Sequence, residues 1–306
     1  MKNLFSTLIL SLLALGCTQQ QPESLRLATF NIRYDNSGDG PNSWPHRKDS
    51  ICAFIHRVDP DIIDMQEVLH HQLEVLKTGL PEYTVVGVGR EDGKTAGEYA
   101  PIFFKQAKYT LLDQNTFWLC EKPDSVGMVG WDAALTRIAT WVKLQDKKTG
   151  QILMVVNTHF DHIGTEARRN SALLIIEKIK EIVGTSPAIL TGDFNVSEDW
   201  DAYKTITNNE FILKDAHKVA GKRTGVDFTY HNFGKIPAEK CEKIDFIFVT
   251  PQIRVISSYI PFSQLNDTLF LSDHNPEIVE LEIEKSRKEL LSYRVTELKE
   301  LGLSTQ

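Results

Sequence analysis

The stretch "PAILTGDFNVSED", Pro187 to Asp199, runs from an apolar segment through a glycine to an aspartate and an asparagine two residues apart. The apolar segment predicts a buried strand that ends near Asp193 and Asn195. Side chains two residues apart on a strand share a face, so we expect both to point into one space. "NTHFDH" repeats the arrangement, with Asn157 and His159 following another apolar run. These stretches predict a sheet that presents polar side chains at one edge.

Similar short apolar runs recur along the chain, with polar residues directly after them. We predict strands at 25–31, 61–67, 83–89, 100–105, 116–119, 139–146, 151–162, 188–195, 243–249 and 277–283. Apolar residues at helical spacing predict helices at 45–61, 72–80 and 166–183. Many paired strands with few helices favour a mixed α/β sandwich over a doubly wound parallel fold.

The first residues, "MKNLFSTLILSLLALGC", have one lysine, a short apolar run and small residues before a cysteine. This pattern is typical of a secretory leader over 1–16, and Cys17 sits as the lipidated cysteine of a bacterial lipoprotein would. We therefore expect a protein exported to the bacterial outer membrane or cell surface and held there by acyl chains on Cys17. The alternative is an ordinary cleaved signal peptide.

The rest of the chain divides into a short polar tether over 17–24, one domain over 25–284 and a C-terminal amphipathic helix over 285–306. With 306 residues, 42% of them hydrophobic, the chain is long enough for one large domain. Three further cysteines at wide spacing show no disulfide framework. We expect a monomer.

The charge of the chain bears on its partners. The formal net charge is −7 and no long basic run is present. Binding of a nucleic-acid backbone needs clustered Lys and Arg, so nucleic acid is disfavoured as a partner, although a small phosphorylated substrate is not. No cysteine has zinc-site spacing.

Other polar residues follow the predicted strands as well: Asn31, Glu67, Asp245, Asp273 and His274. Carboxylate and amide oxygens are the ligands that Mg²⁺, Mn²⁺ and Ca²⁺ prefer. Each residue alone also has a structural explanation, since Asp and Asn form turns by bonding nearby backbone. That explanation accounts poorly for so many such residues, each after a strand.

The ordered segments "TFNIR", "MQE", "NTHFDH", "TGDFNV", "KIDFIFV" and "LSDHNPE" resemble the motifs of the endonuclease/exonuclease/phosphatase superfamily, across roughly residues 25 to 283. That superfamily includes DNase I-like nucleases, sphingomyelinases, inositol polyphosphate 5-phosphatases and CCR4-type deadenylases. The resemblance implies a four-layered α/β sandwich, with two mixed β-sheets packed face to face, helices outside and the site at one rim. "RYDNSGDGPNSWPHRKDSI" further resembles a bacterial subgroup that is often lipid-anchored.

The resemblance also implies residue roles. The metal, Mg²⁺ or Mn²⁺, would be held by Glu67, Asn31 and Asp273. The residues that would perform the chemistry are Asp193, Asn195, His159, His274, Asp245 and Glu98. Asp193 would prepare the attacking water, and Asn195 would contact the phosphorus centre or the nucleophile. The two histidines would hydrogen-bond the phosphoryl oxygens.

Carboxylate partners are expected for both histidines, Asp245 for His274 and Glu98 for His159. Because a carboxylate partner raises the pKa of an imidazole, both rings would be cationic near neutral pH. DNase I-like enzymes place a tyrosine two residues before the position of Glu98. Here that position is Ala96, which removes one contact expected of a nuclease.

Substrate contacts are the least constrained part of this interpretation. The candidates are Arg33, Arg90, Arg137 and His162, and each arginine is as readily explained as a surface residue or a structural ion pair. We predict a divalent-metal-dependent phosphoesterase that cleaves a phosphodiester in a small, lipid-linked or glycan-linked substrate. The alternatives are an extracellular nuclease or deadenylase-like exonuclease and a non-catalytic surface-binding lipoprotein on the same fold.

Overall fold

The computed structural model describes residues 24–184, 186–208 and 213–284. The predicted leader, the tether before Ser24 and the C-terminal helix lie outside these residues. No helix in these three ranges is both long enough and apolar enough to cross a bilayer.

The strands and helices alternate irregularly along the chain. The strands are β1 Ser24–Asn31, β2 Ile62–Gln66, β3 Tyr83–Val86, β4 Ile102–Lys105, β5 Tyr109–Trp118, β6 Ile138–Asp146, β7 Ile152–His159, β8 Ala188–Asp193, β9 Lys214–Asp215, β10 Lys222–Gly225, β11 Asp245–Val249, β12 Ile253–Ile260 and β13 Glu277–Ile283. The helices are α1 Trp44–Val58, α2 His70–Gly79, α3 Thr165–Val183, α4 Asp201–Thr207 and α5 Ala216–Val219, and 3₁₀ turns span Ser37–Asn42 and Ala238–Lys240.

The strands form two mixed sheets. One has the order β10-β12-β13-β1-β2-β4-β3 and the other β5-β6-β7-β8-β11-β9. Leu27, Phe104, Val142, Val155 and Ile247 belong to one buried apolar cluster that contains residues of both sheets, so the sheets pack face to face. The predicted two-sheet α/β sandwich is confirmed.

Helices cover the outer face of each sheet. Ile51 and Phe54 of α1 pack on the seven-stranded sheet, and Ile175 and Ile179 of α3 pack on the six-stranded one. Burying such a side chain stabilises the fold by roughly 1.5–3 kcal/mol, so apolar residues at helical spacing favour helices that pack on the sheets. The result is four layers: helices, sheet, sheet, helices.

Local signals set the helix ends. Pro45 lies in the first turn of α1, where its missing N–H removes no helical bond, and Asp59 ends the helix with φ +51°. Strand β5 is longer than predicted, beginning at Tyr109 rather than at 116. It lies at the edge of its sheet with mostly exposed side chains, so it lacks the apolar run of a central strand.

Strand β12 was not predicted. It belongs to the seven-stranded sheet, where β13 and β10 are its neighbours, and a register irregularity between Val255 and Ser257 interrupts its pairing with β13. The alternation of faces changes at such a point, which obscures a period-two pattern in the sequence.

Candidate active site

Strand register brings the predicted residues together at one edge of the sandwich. In the parallel pair β7–β8, His159 lies opposite Asp193, and in the antiparallel pair β8–β11, Asp245 lies opposite the same aspartate. Asn31 ends β1 of the facing sheet, and its amide nitrogen lies 2.9 Å from Asp193 Oδ2. Glu67 directly follows β2, and its Oε1 lies 3.0 Å from the same nitrogen of Asn31. Asp193 is thus the centre of the site.

The backbone at this edge is unusual. Glu67, Asn195 and Arg33 have φ of +61°, +50° and +60°. Non-glycine residues in this region of φ are strained and concentrate at functional sites. Gly192 has φ +152°, and a Cβ there would meet the carbonyl oxygen of Thr158 at 2.2 Å. The glycine of "LTGDFN" is therefore required where β8 and β7 approach closely.

Asp193 is buried, and its surroundings shift its titration. Its Oδ1 accepts the backbone N–H of Asn195 at 3.0 Å. Burial, reinforced by the negative charge of Asp245, raises the pKa of Asp193 to about 7. A carboxyl group with such a pKa exchanges protons near neutral pH, as a general base must.

His274 and Asp245 form the pair that the sequence predicts. The Nδ1–H of His274 donates to Asp245 Oδ2 at 2.8 Å, and both side chains are buried. Burial alone would lower the pKa of His274, but the adjacent Asp245 carboxylate prevails and raises it to about 10. The imidazolium presents Nε2 toward Asp193, 3.8 Å from Oδ2.

His159 departs from the expectation. Its Nδ1 lies 3.9 Å from Glu98 Oε2, beyond hydrogen-bond distance, and Glu98 instead accepts from Arg90 Nη1 at 2.8 Å. Burial and the positive charges of Arg137 and Arg90 lower the pKa of His159 well below its usual value. The prediction of two cationic histidines is therefore wrong for His159, because arginines rather than a paired carboxylate dominate its surroundings.

The remaining contacts of His159 indicate its tautomer. Asn195 Nδ2 lies 3.1 Å from His159 Nε2 and donates also to the carbonyl oxygen of Phe160 at 3.0 Å. Nε2 thus accepts a hydrogen bond, and the ring proton of the neutral imidazole lies on Nδ1. Asn195 and His159 act as a linked pair beside Asp193.

The donor chemistry suits a divalent cation. Ligand atoms of Glu67, His159 and Asp193 lie within 4.8 Å of one another, as do those of Asp193, Asp245 and His274. Protonated His274 has no lone pair to offer, and His159 Nε2 already accepts from Asn195, so the carboxylates of the first group are the better donors. Carboxylate oxygens match the sites of Mg²⁺ and Mn²⁺. Asn31 departs from its expected role as a metal ligand, because its amide nitrogen faces these carboxylates and its oxygen accepts the N–H of Arg33.

Arg33 lies among the acidic side chains of this site. Its Nε is 3.0 Å from Asp39 Oδ2 and 3.8 Å from Asp273 Oδ2, and its Nη1 is 3.8 Å from Glu67 Oε2. Asp273 is buried, and burial raises its pKa. Asp273 thus lies on the Glu67 side of the site.

The other substrate-side candidates gather on the opposite side of His159. Arg137 is buried, with Nη2 3.1 Å from His162 Nδ1 and Nε 3.5 Å from Asp161 Oδ2. Arg90 reaches this side through its bond to Glu98. The four predicted residues therefore do not form one group, since Arg33 lies across the site from the other three.

Two residues for which the sequence predicts no role support the site. Asp161 accepts from the backbone N–H of Leu135, Ile163 and Gly164, tying together the two loops beside His162. Arg47 of α1 is completely buried and donates to four carbonyl oxygens: those of Ile32, Arg33, Asn42 and Leu271. Both residues fall within stretches used for the resemblance, but loop-bracing bonds leave no periodic signal.

A second polar layer lies just below the catalytic side chains, between the sheets. We call it the floor layer, and it consists of Thr29, Asp64, Gln66, Asn157 and Thr191, all fully buried. Gln66 Nε2 donates to Thr29 Oγ1 at 3.1 Å and to Asn157 Oδ1 at 2.7 Å. Asn157 Nδ2 donates to two carbonyl oxygens of the facing sheet's segments, those of Met65 and Pro101. Asn157 therefore bonds the sheets together rather than lining the site with His159.

Comparison with known proteins gives independent information. The family model described as the Endonuclease/Exonuclease/phosphatase family matches residues 28–274. A solved endonuclease/exonuclease/phosphatase of Bacteroides vulgatus is 62% identical, covering 86% of this chain and 100% of that one, with a TM-score of 0.84.

Two further relatives have more specific names. A mannosyl-6-phosphatase of Bacteroides thetaiotaomicron is 36% identical, covering 84% of this chain and 99% of that one, with a TM-score of 0.79. The CCR4-Not complex 3'-5'-exoribonuclease subunit Ccr4 of Emericella nidulans is 24% identical over 312 residues, 79% of this chain and 46% of that protein.

Proposed function

Because the chain belongs to the endonuclease/exonuclease/phosphatase family, whose named relatives are phosphoester hydrolases, we propose that it hydrolyses a phosphoester with the help of a divalent metal ion. The observation that carries the proposal is the convergence of Glu67, His159 and the His274–Asp245 pair around Asp193. For attack by water on an anionic phosphorus centre, a buried base would take a proton from the water, and a cationic donor and a metal ion held by a carboxylate would offset the negative charge.

Asp193 is the proposed base for the attacking water. Its pKa of about 7 lets it take a proton near neutral pH, and Asn31 and the N–H of Asn195 fix its two oxygens. Fixed orientation matters because in-line attack tolerates little misplacement. Asn195 shares the face of Asp193 and would contact the same water or the phosphoryl group.

His274 is the proposed donor to a phosphoryl oxygen. Its charge is maintained by Asp245, and its Nε2–H points into the site beside Asp193. Such a fixed donor in a buried setting stabilises charge that develops in the transition state. A divalent cation held by Glu67, with Asp273 as a further candidate ligand, would supply additional positive charge to the phosphoryl oxygens.

The substrate is proposed to be a phosphorylated sugar or glycan. The support is the similarity over nearly the whole domain to a protein named as a mannosyl-6-phosphatase. We further propose that the protein is exported and lipid-anchored through Cys17, on the strength of its leader pattern. The exoribonuclease relative supports a second candidate, a nuclease, which the net charge of −7 disfavours.

The test uses the full-length protein purified in detergent. We expect p-nitrophenol release from p-nitrophenyl phosphate or bis-p-nitrophenyl phosphate with Mg²⁺ or Mn²⁺, and loss of release with EDTA. Glu67→Gln should remove the thermal stabilisation that Mg²⁺ confers, whereas the exposed Glu121→Gln should retain it. Metal-independent turnover would contradict the metal role, and absence of turnover with every metal and ester, a single-stranded RNA included, would favour the non-catalytic alternative.

A further inference from the structure

The site has two sides of different composition, separated by Asp193 and His159. The acidic side holds Glu67, Asp273 and Asp245, and it is where the metal ligands are predicted. The basic side holds Arg90, Arg137 and His162, with Glu98 and Asp161 as the carboxylate partners of the two arginines. A cation suits the acidic side, whereas the N–H donors that these carboxylates leave free on the basic side suit an anion.

Arg90 is held rigidly on the basic side. It lies in the turn between β3 and β4, where its backbone N–H donates to the Glu98 carbonyl at 3.1 Å. Its carbonyl accepts from the indole nitrogen of Trp118 at 2.7 Å. The guanidinium is fixed by Glu98 Oε2 at 2.8 Å, and the residue is 7% exposed. An arginine that served only to keep the surface soluble would not be held by so many contacts.

Arg137 is buried more deeply and is incompletely bonded. It is 4% exposed, and its Nη1 has no hydrogen-bond partner among the described residues. Its Nε and Nη2 face Asp161 and His162. A guanidinium is always charged and offers five N–H donors, so a buried Nη1 without an acceptor marks a place for one.

His159 supplies a second free donor. Its Nε2 accepts from Asn195, so Nδ1 carries the proton, and no described residue accepts a hydrogen bond from the buried Nδ1. The Arg137 and Arg90 charges both act on this ring, and Glu98 is 3.9 Å from its Nδ1. Within the part of the chain that the structure describes, donors without partners thus accompany the basic side, whereas on the acidic side an acceptor, Asp245 Oδ1, lacks a partner.

We propose that Arg90 and Arg137 form an anion subsite that selects a terminal phosphate, a phosphomonoester dianion, over a phosphodiester. This inference rests on the proposed function, since the subsite adjoins the reaction centre. A monoester has three non-bridging oxygens and a diester has two. A metal ion held by Glu67 and the Nε2–H of His274 would supply positive charge from one side of the site. An oxygen on the other side would meet the arginines, whose N–H groups make short, strong bonds to phosphate. The sequence predicts a phosphodiester substrate, and this proposal takes a monoester instead.

The experiment compares two esters with the same leaving group, p-nitrophenyl phosphate and methyl p-nitrophenyl phosphate. They differ by one methyl group, which removes one charge and blocks one oxygen. With the full-length protein and Mg²⁺, we expect the ratio of kcat/KM for the monoester to that for the diester to fall about 10- to 100-fold in Arg90→Gln and in Arg137→Lys, the size of one charge-assisted hydrogen bond. Arg223→Gln, at an exposed strand position, is the control.

Inorganic phosphate provides a second measurement that does not need turnover. We expect it to raise the melting temperature of the wild type and to do so less in both variants. If the variants lose activity toward both esters in parallel, or if the rise in melting temperature with phosphate is unchanged in Arg90→Gln, the proposed anion subsite is contradicted. If the variants lose turnover of fructose 1,6-bisphosphate but not of fructose 6-phosphate, the arginines bind a second anionic group, and the terminal-phosphate assignment is overturned. An inactive wild type whose phosphate response depends on Arg90 would refute the proposed function but leave the anion subsite standing.

Discussion

The catalytic side chains and the floor layer stand on the same strands, two residues apart. Thr29 precedes Asn31 on β1, Asn157 precedes His159 on β7, and Thr191 precedes Asp193 on β8. In the floor layer, every amide nitrogen and hydroxyl of Gln66, Asn157 and Thr191 donates to an acceptor.

The floor-layer atoms without a hydrogen-bond partner among the described residues are two acceptors, Asp64 Oδ1 and Gln66 Oε1, whereas the layer above leaves donors free. His159 Nδ1 has no acceptor, and Arg137 Nη1 beside it has none among the described residues either. Buried groups that satisfy one another hold a structure in place, whereas buried donors left free are available to a ligand. A shift of two residues along a strand therefore separates side chains that stabilise the sandwich from side chains that would bind and react.

The largest expected difference comes from Asp193→Asn. This change keeps the shape of the side chain but removes the base, so kcat should fall about 10³-fold, within the usual range for general base catalysis. Stability should be equal or higher, because a buried carboxylate near Asp245 is replaced by a neutral amide. Steady-state kinetics and thermal unfolding test both parts. A kcat within tenfold of the wild type would contradict the role of Asp193.

Asn157→Ala should show the reverse pattern. It removes one of the two acceptors of Gln66 Nε2 and the amide donor to the carbonyls of Met65 and Pro101, so the free energy of unfolding should fall by about 3 kcal/mol, the loss of three buried hydrogen bonds. Urea unfolding measures this loss, with the exposed Asn115→Ala as the matched control. Equal losses of stability in the two variants would show that the floor layer does not hold the sheets together.

Asp64 predicts a pH dependence for the floor layer. Burial raises the pKa of this carboxyl group to about 8, against a bond from Thr191 that lowers it. The folded state therefore binds the proton more tightly than the unfolded chain does, and stability is full below pH 4 and declines as pH rises toward 8.

Asp64→Asn removes this titration. Relative to the variant, the wild type should lose stability with a slope approaching 1.4 kcal/mol per pH unit between pH 5 and 7. Urea unfolding at several pH values measures the slope, and the exposed Asp124→Asn should follow the wild type. Parallel curves for wild type and Asp64→Asn would show that Asp64 is ionised in the fold.

Thr191→Val should have the smallest effect. It keeps the volume of the side chain and removes one hydroxyl bond to Asp64, so about 1 kcal/mol of stability should be lost. Because the two residues are bonded, the loss should be smaller in an Asp64→Asn background. A double-mutant cycle measures this coupling, and additive effects would show that the bond contributes nothing specific.

Strand alternation explains how much of the site was predictable. A spacing of two residues puts Asp193 with Asn195 and Asn157 with His159 on shared faces, and the first pair does meet in the site. Alternation along a strand determines which face of the sheet a side chain is on, but not how deep between the sheets it lies. It therefore did not reveal that Asn157 lies below the site. Depth is set by the register between strands, which depends on pairing with distant segments.

The environment of His159 was not predictable for a related reason. Glu98 lies in a turn whose own hydrogen bonds to Arg90 set its direction, and Arg137 reaches the same place from the start of β6. Three segments far apart in sequence determine one pKa. By contrast, the resemblance implied the His274–Asp245 pair, and the structure contains it. Pairing of β11 with β8 places Asp245 beside Asp193, and His274 reaches Asp245 from the loop before β13.

The direction of β1 has a consequence for how the domain is presented to its surroundings. The strand runs from Ser24 to Asn31, so its first residue lies about 23 Å from the site end. Ser24 pairs with Glu282 of β13, and both described ends of the domain thus emerge together, away from the catalytic edge. If the chain is anchored ahead of Ser24, as proposed, the attachment point lies at the end of the domain opposite the site and leaves the mouth of the site clear for material arriving from solution.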